Sequence, residues 1–254
     1  MLTEERQSKI LDLLHLKKSV SVAELTKSLD ASESTIRRDL NALHEMRRLN
    51  KVFGGAILPD NADIRLERNM PEKRAINYAG KELIARYAAS IINDSDFVFI
   101  DAGTTTEILT EVMRETKATF VTNAVVHATR LLQKGFKVSV LGGELKASTE
   151  AIVGAEALEC LQRYNFTKCF LGTNGVGLQS GFTTPDPEEA SIKRESVRRS
   201  FVSYVLADHS KFDVVSPVTF AVFDSVCVVT DKTPRAEYMD VMTIKIVGDG
   251  LKEE

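Results

Sequence analysis

The amino-acid sequence predicts a mixed α/β protein with a small amino-terminal domain and a larger domain of alternating strands and helices. Residues 21–58 predict the small domain, because two short capped helices flank a tight turn and a glycine-tipped hairpin follows them. From residue 72 onward, short apolar runs alternate with helical stretches. That alternation is typical of a mainly parallel, Rossmann-like sheet with helices on both faces.

Three helices are predicted in the small domain. The first begins at Thr3, where the acidic residues that follow suit the positive end of a helix. Ser21 and Glu24 form a capping box that starts the second helix, which ends near Asp30. Ser32 caps the third helix.

The third helix has one apolar face and one polar face. Ile36, Leu40 and Leu43 are spaced by four and three residues, which places them on one inward stripe. The polar side chains left exposed are Ser34, Thr35, Arg37, Arg38 and Asn41. A helix laid in a major groove would offer these guanidiniums, hydroxyls and the amide to phosphates and base edges.

A β-hairpin is predicted after the third helix. Residues 49–53 and 56–58 form its strands around Gly54 and Gly55, where a tight turn needs positive φ. The basic residues placed beside the phosphates are Arg47, Arg48 and Lys51. Helix, turn, helix and wing in this order predict a winged helix-turn-helix domain over residues 1–58, with double-stranded operator DNA as partner.

Charge supports this interpretation only weakly. Residues 1–58 carry ten Lys or Arg against eight Asp or Glu, whereas the rest of the chain carries 23 against 28. A three-helix bundle with a solvated basic face is the alternative, and the order of caps, turn and wing favours DNA binding over it.

The larger domain is predicted over residues 72–254, after a polar linker at 59–71. Strands are predicted at FVFI (97), TFVT (119), KVSVL (137), KCFLG (168), SYVLA (203), VCVVT (226) and TIKIV (243). Ligands of such sheets bind beyond the carboxyl ends of the strands, where helix amino-termini point inward.

The loops after these strands are small and polar. Glycines let backbone amides approach a phosphate, threonines donate to it, and Asp, Asn and Lys read hydroxyls or charge. The candidate contacts are Asp101, Gly103, Thr104, Thr105, Asn123, Gly143, Asn174, Asp208 and Lys211, with Lys73 and Lys81 reaching in from the hinge. A phosphorylated sugar suits this set. The alternatives are ordinary turns and caps, a surface Asp208–Lys211 ion pair and two solvated lysines.

Other classes of site are not indicated. The chain contains neither G-x-G-x-x-G nor G-x-x-x-x-G-K-[ST], and its four histidines have no metal-ligand spacing, so we expect no cofactor and no metal. The three cysteines are expected to be reduced thiols. With no long apolar run and no charged leader, the protein is expected to be cytoplasmic.

The sequence resembles the DeoR family of bacterial transcriptional regulators. SESTIRRDLNAL and RRLNKVFGGAIL match its amino-terminal signature, and DAGTTTEIL, VTN, LGGEL, LGTNG and LADHSKF match its sensor domain. The resemblance implies a sensor fold similar to sugar-phosphate isomerases and deaminases, used for binding. GFTTPDPEEA at 181–190 resembles members that control fructose phosphotransferase operons, which implies fructose 1-phosphate as effector. Tagatose or galactitol phosphates fit the same polar residues.

The sequence therefore predicts a repressor, not an enzyme, that controls transcription of a sugar utilisation operon. Its operator affinity would be set by a phosphorylated sugar, and we expect a homodimer or higher homo-oligomer, since helix-turn-helix dimers bind symmetric sites. Activation of transcription remains open. The alternative from another class is a sugar-phosphate isomerase or deaminase with an accessory DNA-binding domain, in which Glu188, Glu189 or Asp208 would act as a base.

Overall fold

Three helices and a three-stranded sheet form the amino-terminal unit of the structure, a computed structural model that describes residues 3–46, 48–58 and 70–248. The helices are α1 (Thr3–Lys17), α2 (Val22–Leu29) and α3 (Glu33–Glu45), and the strands are β1 (Ser19–Ser21), β2 (Asn50–Val52) and β3 (Gly55–Ile57). The strands pair antiparallel in the order β1-β3-β2. Strand β1 was not predicted, because Val20 is its single apolar residue.

Local signals in the sequence set the ends of α2 and α3. The Ser21 hydroxyl accepts a hydrogen bond from the Glu24 amide at 3.1 Å, and that of Ser32 accepts from the Thr35 amide at 3.3 Å. Asp30 ends α2 with a left-handed φ of 47°. The predicted caps are therefore present, and each satisfies a backbone N–H group at the start of its helix.

The core of this unit contains the predicted stripe of α3 and one unexpected carboxylate. Ile36 and Leu40 are fully buried and Leu43 nearly so. Asp39 is also buried, and its carboxylate accepts hydrogen bonds from Arg6 and Gln7 of α1. This paired charge fixes α3 against α1 while the opposite face of α3 stays in solvent.

A seven-stranded parallel sheet forms the centre of the second unit. Its strands are β4 (Phe97–Ile100), β5 (Thr119–Thr122), β6 (Lys137–Val140), β9 (Phe166–Gly172), β12 (Ser200–Leu206), β14 (Cys227–Thr230) and β15 (Thr243–Ile246). Their order in the sheet is β15-β14-β12-β9-β4-β5-β6. They coincide with the seven predicted apolar runs. Residues that alternate along β4 belong to different cores, Phe99 to one and Val98 and Ile100 to the other, so each face of the sheet is covered.

Helices and short antiparallel strands surround the sheet. The helices are Met70–Ala75, Tyr78–Ser90, Thr104–Val112, Val125–Gln133, Ala155–Leu161, Pro187–Arg198 and Ala236–Met239, with single 3₁₀ turns at His209–Lys211 and Phe223–Ser225. The short strands are β7 (Glu144–Leu145), β8 (Ile152–Val153), β10 (Gly175–Gly177), β11 (Gly181–Thr184) and β13 (Val218–Ala221). None of the described helices is long and apolar enough to cross a bilayer.

Residues 59–69 of the predicted linker at 59–71 lie outside the described residues. Arg47, which was predicted to contact phosphates, also lies outside them. Met70 and Pro71 begin the helix Met70–Ala75 instead of ending the linker, because proline is tolerated in the first turn of a helix. The chain separates into two compact units, one within residues 1–65 and one within residues 66–254.

The order of strands changes direction between β4 and β9. Strands β4, β5 and β6 follow one another toward one edge, whereas β9, β12, β14 and β15 follow one another toward the other. The loops that leave β4 and β9 therefore diverge, and a crevice opens between them at the carboxyl end of the sheet. This crevice, called the switch-point cleft below, is where a ligand is expected.

Candidate functional site

The switch-point cleft brings together many of the predicted effector contacts. Those that line it are Lys73, Lys81, Gly103, Thr104, Thr105, Asn174 and Lys211. The lining residues outside the set of predicted effector contacts are Met70, Ala102, Thr149, Gly172, Thr173, Glu189, Lys193 and Leu206. The lining comes from the loops after β4 and β9, from the end of β12 and the turn that follows it, from the loop between β7 and β8, and from helices that cover the sheet.

One wall of the cleft is the amino-terminal end of the helix Thr104–Val112. Thr104 and Thr105 are buried in its first turn. The first helical hydrogen bond is donated by the Glu107 backbone amide to the carbonyl of Gly103, the residue before the helix, at 2.8 Å. The preceding amides and the positive helix end are therefore available to an anion.

Lys81 is the most buried ammonium group beside that helix end. The residue is 2% exposed, and its Nζ donates to the Thr104 hydroxyl at 3.1 Å and to the Lys73 carbonyl. The pKa of Lys81 is lowered to about 8, mainly by burial; the charges of Lys211 and Lys73 contribute to this lowering, and the charge of Asp208 opposes it. Lys73 and Lys211 thus both repel the Lys81 ammonium beside the cleft, an arrangement that an anion would stabilise.

A buried ion pair joins the two loops at the switch point. The Asp101 carboxylate accepts hydrogen bonds from Lys193 and, at 3.0 Å, from the Gly172 amide, while Lys193 also donates to the Gly172 carbonyl at 3.1 Å. Burial raises the pKa of Asp101 despite the nearby ammonium. Asp101 therefore anchors the loop after β9 and orients Lys193. Lys193 lines the cleft, whereas Asp101 does not.

Glu189 supplies a carboxylate to the cleft, one helical turn before Lys193. It is 8% exposed, and its Oε1 accepts from the Thr149 hydroxyl at 2.7 Å and from Lys146 at 3.0 Å. A carboxylate, an ammonium and a hydroxyl in one wall can all bind sugar hydroxyls. The spacing of four between Glu189 and Lys193 was visible in the sequence and indicated a shared helix face.

Asn123 and Gly143 are not among the residues lining the cleft. The side-chain amide of Asn123 accepts a hydrogen bond from the Ala102 backbone N–H at 2.8 Å and donates one to the Ile152 backbone carbonyl at 3.4 Å. It therefore connects the loop after β4 to β8. A Cβ at Gly143 would lie 2.6 Å from the Val153 carbonyl oxygen, so close packing against β8 requires this glycine. Both residues shape the cleft from outside it.

Asp208 also lies outside the lining, but it organises the loop that carries Lys211. Its Oδ1 accepts from Asn77 at 2.8 Å and from the Ser210 amide and hydroxyl at 3.1 and 2.6 Å. Burial alone would raise the pKa of Asp208, but Lys211, Ser210 and Asn77 outweigh burial, and the pKa is lowered. Asp208 is only 1% exposed, so its interaction with Lys211 involves a buried carboxylate and not one at the surface.

The predicted DNA-contacting residues lie on α3 and the wing. Ser34, Arg38 and Asn41 are exposed and spaced by four and three along α3. Arg37 is exposed beside them and pairs with Glu33 at 2.6 Å, a surface pair that costs little to break. Thr35 is half-buried and supports the Ser32 cap.

The wing is attached directly to α3. The Lys51 ammonium donates to the Asn41 side-chain oxygen at 2.7 Å, which links β2 to the exposed face of α3. Arg48 is exposed at the base of the same hairpin. A basic and polar surface therefore runs from α3 onto the wing, as a duplex requires.

The two units define a class of protein, a DNA-binding transcriptional regulator with a separate sensor domain. Residues 6–62 match the DeoR-like helix-turn-helix domain, and residues 76–232 match the DeoR C-terminal sensor domain. The chain belongs to the DeoR family of transcriptional regulators, and it is a regulator rather than an enzyme. The resemblance drawn from the sequence motifs is confirmed.

Relatives cover nearly the whole chain. It is 42% identical over 251 residues to "Uncharacterized HTH-type transcriptional regulator FruR" of Bacillus subtilis strain 168, covering 97% of this chain and 99% of that protein. It is 34% identical over 210 residues to the lactose phosphotransferase system repressor of Staphylococcus aureus strain MRSA252, covering 82% and 83%. Ribose 5-phosphate isomerase A of Methanocaldococcus jannaschii aligns at a TM-score of 0.40 and 14% identity, covering 54% of this chain and 55% of that one. That likeness is too weak to bear on activity.

Proposed function

We propose that the protein represses a sugar utilisation operon of the phosphotransferase type, and that a phosphorylated sugar in the switch-point cleft controls its affinity for the operator. The observation that carries this proposal is the set of three lysines, Lys73, Lys81 and Lys211, around the amino-terminal end of the helix Thr104–Val112. The repulsion that Lys73 and Lys211 exert on the Lys81 ammonium is relieved when a phosphate dianion enters.

The phosphate group is assigned to the Lys81 side of the cleft. There the Thr104 hydroxyl and the free amides of the first helical turn supply donors, and Lys81 supplies charge. The sugar hydroxyls then face Glu189, Thr149 and Asn174. This division of the cleft suits a ligand with phosphate at one end and hydroxyls at the other.

Fructose 1-phosphate is the effector we favour. The GFTTPDPEEA segment forms β11 and the start of the helix Pro187–Arg198, which carries Glu189 and Lys193 into the cleft. The names of the two relatives above, a regulator called FruR and a phosphotransferase system repressor, point in the same direction. Tagatose and galactitol phosphates are the competing ligands.

Effector binding is proposed to reach the DNA-binding domain through the helix Met70–Ala75. This helix is the first described element after residues 59–69, which connect it to the wing. Met70 and Lys73 line the cleft, so a bound ligand contacts the helix directly. The ligand can change operator affinity only to the extent that it binds one arrangement of the chain more tightly than another. We propose a homodimer as the species that binds a symmetric operator.

A panel of sugar phosphates tests this function. Each compound is added to the purified full chain in a thermal-shift assay, and those that stabilise it are added to gel shifts with the DNA upstream of its own operon. One sugar phosphate should both raise the Tm and change retardation of the operator. If no phosphorylated sugar does both, while the protein binds that DNA specifically, the proposed effector class is wrong.

Arg74→Gln should uncouple the two domains. Arg74 holds the helix Met70–Ala75 through its ion pairs with Glu107 at 2.9 Å and Glu150 at 3.2 Å, and it is not among the residues that line the cleft. Without this anchor, the sugar phosphate is expected to bind within about threefold of its normal affinity, while the change that it causes in operator affinity falls from tenfold or more to less than about twofold.

The matched control is Arg86→Gln, which removes an exposed pair with Glu82 at 2.6 Å in the next helix. It should leave both effector affinity and the operator response unchanged. Fluorescence anisotropy of labelled operator, measured with and without sugar phosphate, reports the response. An Arg74→Gln protein that responds fully would contradict transmission through this helix.

A further inference from the structure

The tip of the wing carries an aromatic side chain that packs against nothing in its own domain. Phe53 is fully exposed, with a relative accessibility of 108%, and the adjacent Val52 is 41% exposed. Turn geometry does not require an aromatic residue here, because Gly54, with a φ of 83°, supplies the left-handed conformation. A ring held in water at a projecting tip forfeits the free energy that its burial would supply.

The wing tip is nevertheless held in a defined place. The Gly54 carbonyl accepts from the Val22 amide at the start of α2 at 2.8 Å. A Cβ at Gly55 would lie 2.1 Å from the Val20 carbonyl oxygen, so β3 is packed tightly on β1. Lys51 binds Asn41 of α3 at 2.7 Å. Phe53 is thus presented at a set position relative to the exposed face of α3.

We propose that Phe53 contacts operator DNA, with its ring against the deoxyriboses and base edges of the minor groove beside the major groove that α3 occupies. The proposal rests on the assignment of α3 to the major groove. Lys51 and Arg48 flank α3 where the phosphates that separate the two grooves would lie. Phe53 lies two residues beyond Lys51, in the turn that follows β2 and at most roughly 7 Å farther along the chain, which places it past those phosphates.

The chemistry of the duplex selects this contact. The phosphates favour the lysine and the arginine, whereas the sugar edges and the floor of the minor groove are the apolar surfaces that a ring meets beyond them. Apolar side chains that enter the minor groove are a recurrent means of binding and bending DNA. The contact would add affinity without neutralising a phosphate, and that property separates Phe53 from its basic neighbours.

Phe53→Trp provides a direct reporter, because the chain contains no tryptophan. The full-length variant should show the emission of a hydrated indole, and saturating operator should shift that emission to shorter wavelength and reduce its intensity. The matched control is Phe201→Trp, at an exposed phenylalanine on β12 of the other domain that is 90% accessible. Its emission should not change with operator. An unchanged Phe53→Trp spectrum at saturation, or an emission already blue-shifted in the free protein, would overturn the proposal.

Phe53→Ala measures the contribution to affinity. Operator Kd should rise about tenfold, on the order of what partial burial of a phenyl ring supplies. The slope of log Kd against log salt should stay at its wild-type value, because no counterion is released at an apolar contact. Lys51→Ala should instead lower the magnitude of that slope by about 1.

The outcomes separate this inference from the function on which it rests. If Arg38→Ala weakens operator binding and Phe53→Ala does not, the wing contact is wrong and the regulator stands. If Arg38→Ala and Phe53→Ala both bind the operator like the wild type, the groove assignment and the wing contact fail together. An altered salt slope in Phe53→Ala would also overturn the proposal, since it would show an effect on phosphate contacts.

Discussion

Lys81→Met is expected to abolish the response to sugar phosphate, with effector affinity reduced at least about 100-fold, since a charge-assisted hydrogen bond and a buried phosphate partner are both lost. Binding of DNA without effector should remain, because Lys81 lies in the sensor domain. The Tm of the free protein should stay unchanged or rise. The variant removes a 2%-exposed ammonium that neighbouring lysines repel, so the charge serves the ligand rather than the fold.

The pH dependence of effector affinity tests the same group. With a pKa of about 8 in the free protein, Lys81 is mostly charged at pH 7 and mostly neutral at pH 9. The phosphate is a dianion throughout this range. Wild-type affinity should therefore fall about tenfold between pH 7 and pH 9, in proportion to the charged fraction. Isothermal titration across this range measures it, and Lys81→Met should lack that tenfold fall. Equal pH profiles for the two proteins would remove Lys81 from the phosphate site.

Lys193→Met is expected to have the largest effect on stability, about 3 kcal/mol at pH 8, because it leaves the buried Asp101 carboxylate without its partner. The unpaired carboxyl takes up a proton more readily than in the unfolded chain. Its folded pKa then lies further above its unfolded pKa, so stability is lost as the pH rises. The loss relative to wild type should be smaller at pH 5 than at pH 8.

Urea unfolding at the two pH values measures this loss. The double variant Asp101→Asn with Lys193→Met should recover part of it, since an Asn oxygen can still accept from the Gly172 amide. Arg199→Met, which removes a partly exposed ion pair from the end of the same helix, is the control and should cost under about 1 kcal/mol. A Lys193→Met protein as stable as that control would show that the buried pair does not hold the switch point together.

The central strands of the parallel sheet could be predicted because they are covered on both faces and so appear as nearly continuous apolar runs. The runs around Phe99 and Cys169 are examples, and both residues are fully buried. Strands β7, β8 and β10 could not be predicted, because they are two or three residues long and owe their pairing to tertiary contacts. The starts of α2 and α3 could be predicted, because Ser21 and Ser32 bond to backbone amides only three residues away.

The cleft was predictable only where it is built by loops. Thr104 and Asn174 follow predicted strands, and the rule that ligands bind at carboxyl strand ends places them correctly. Lys193 comes from the interior of the helix Pro187–Arg198 and Glu189 from its first turn. Charged residues in both places usually face solvent, so their spacing of four indicated a shared face but not that this face is buried. Asn123 follows a strand as Asn174 does, but its side chain bonds to Ala102 and to Ile152 of β8 instead of lining the cleft.

Coupling between the cleft and the operator is the central claim, and thermodynamic reciprocity tests it most directly. The sugar phosphate selected by the panel is titrated calorimetrically into the free protein and into the protein saturated with operator. The ratio of the two effector affinities should equal the factor by which saturating effector changes operator affinity, and we expect that factor to be at least about tenfold. Equal effector affinities in the two titrations would contradict the account, because a ligand that does not distinguish the DNA-bound form cannot regulate it.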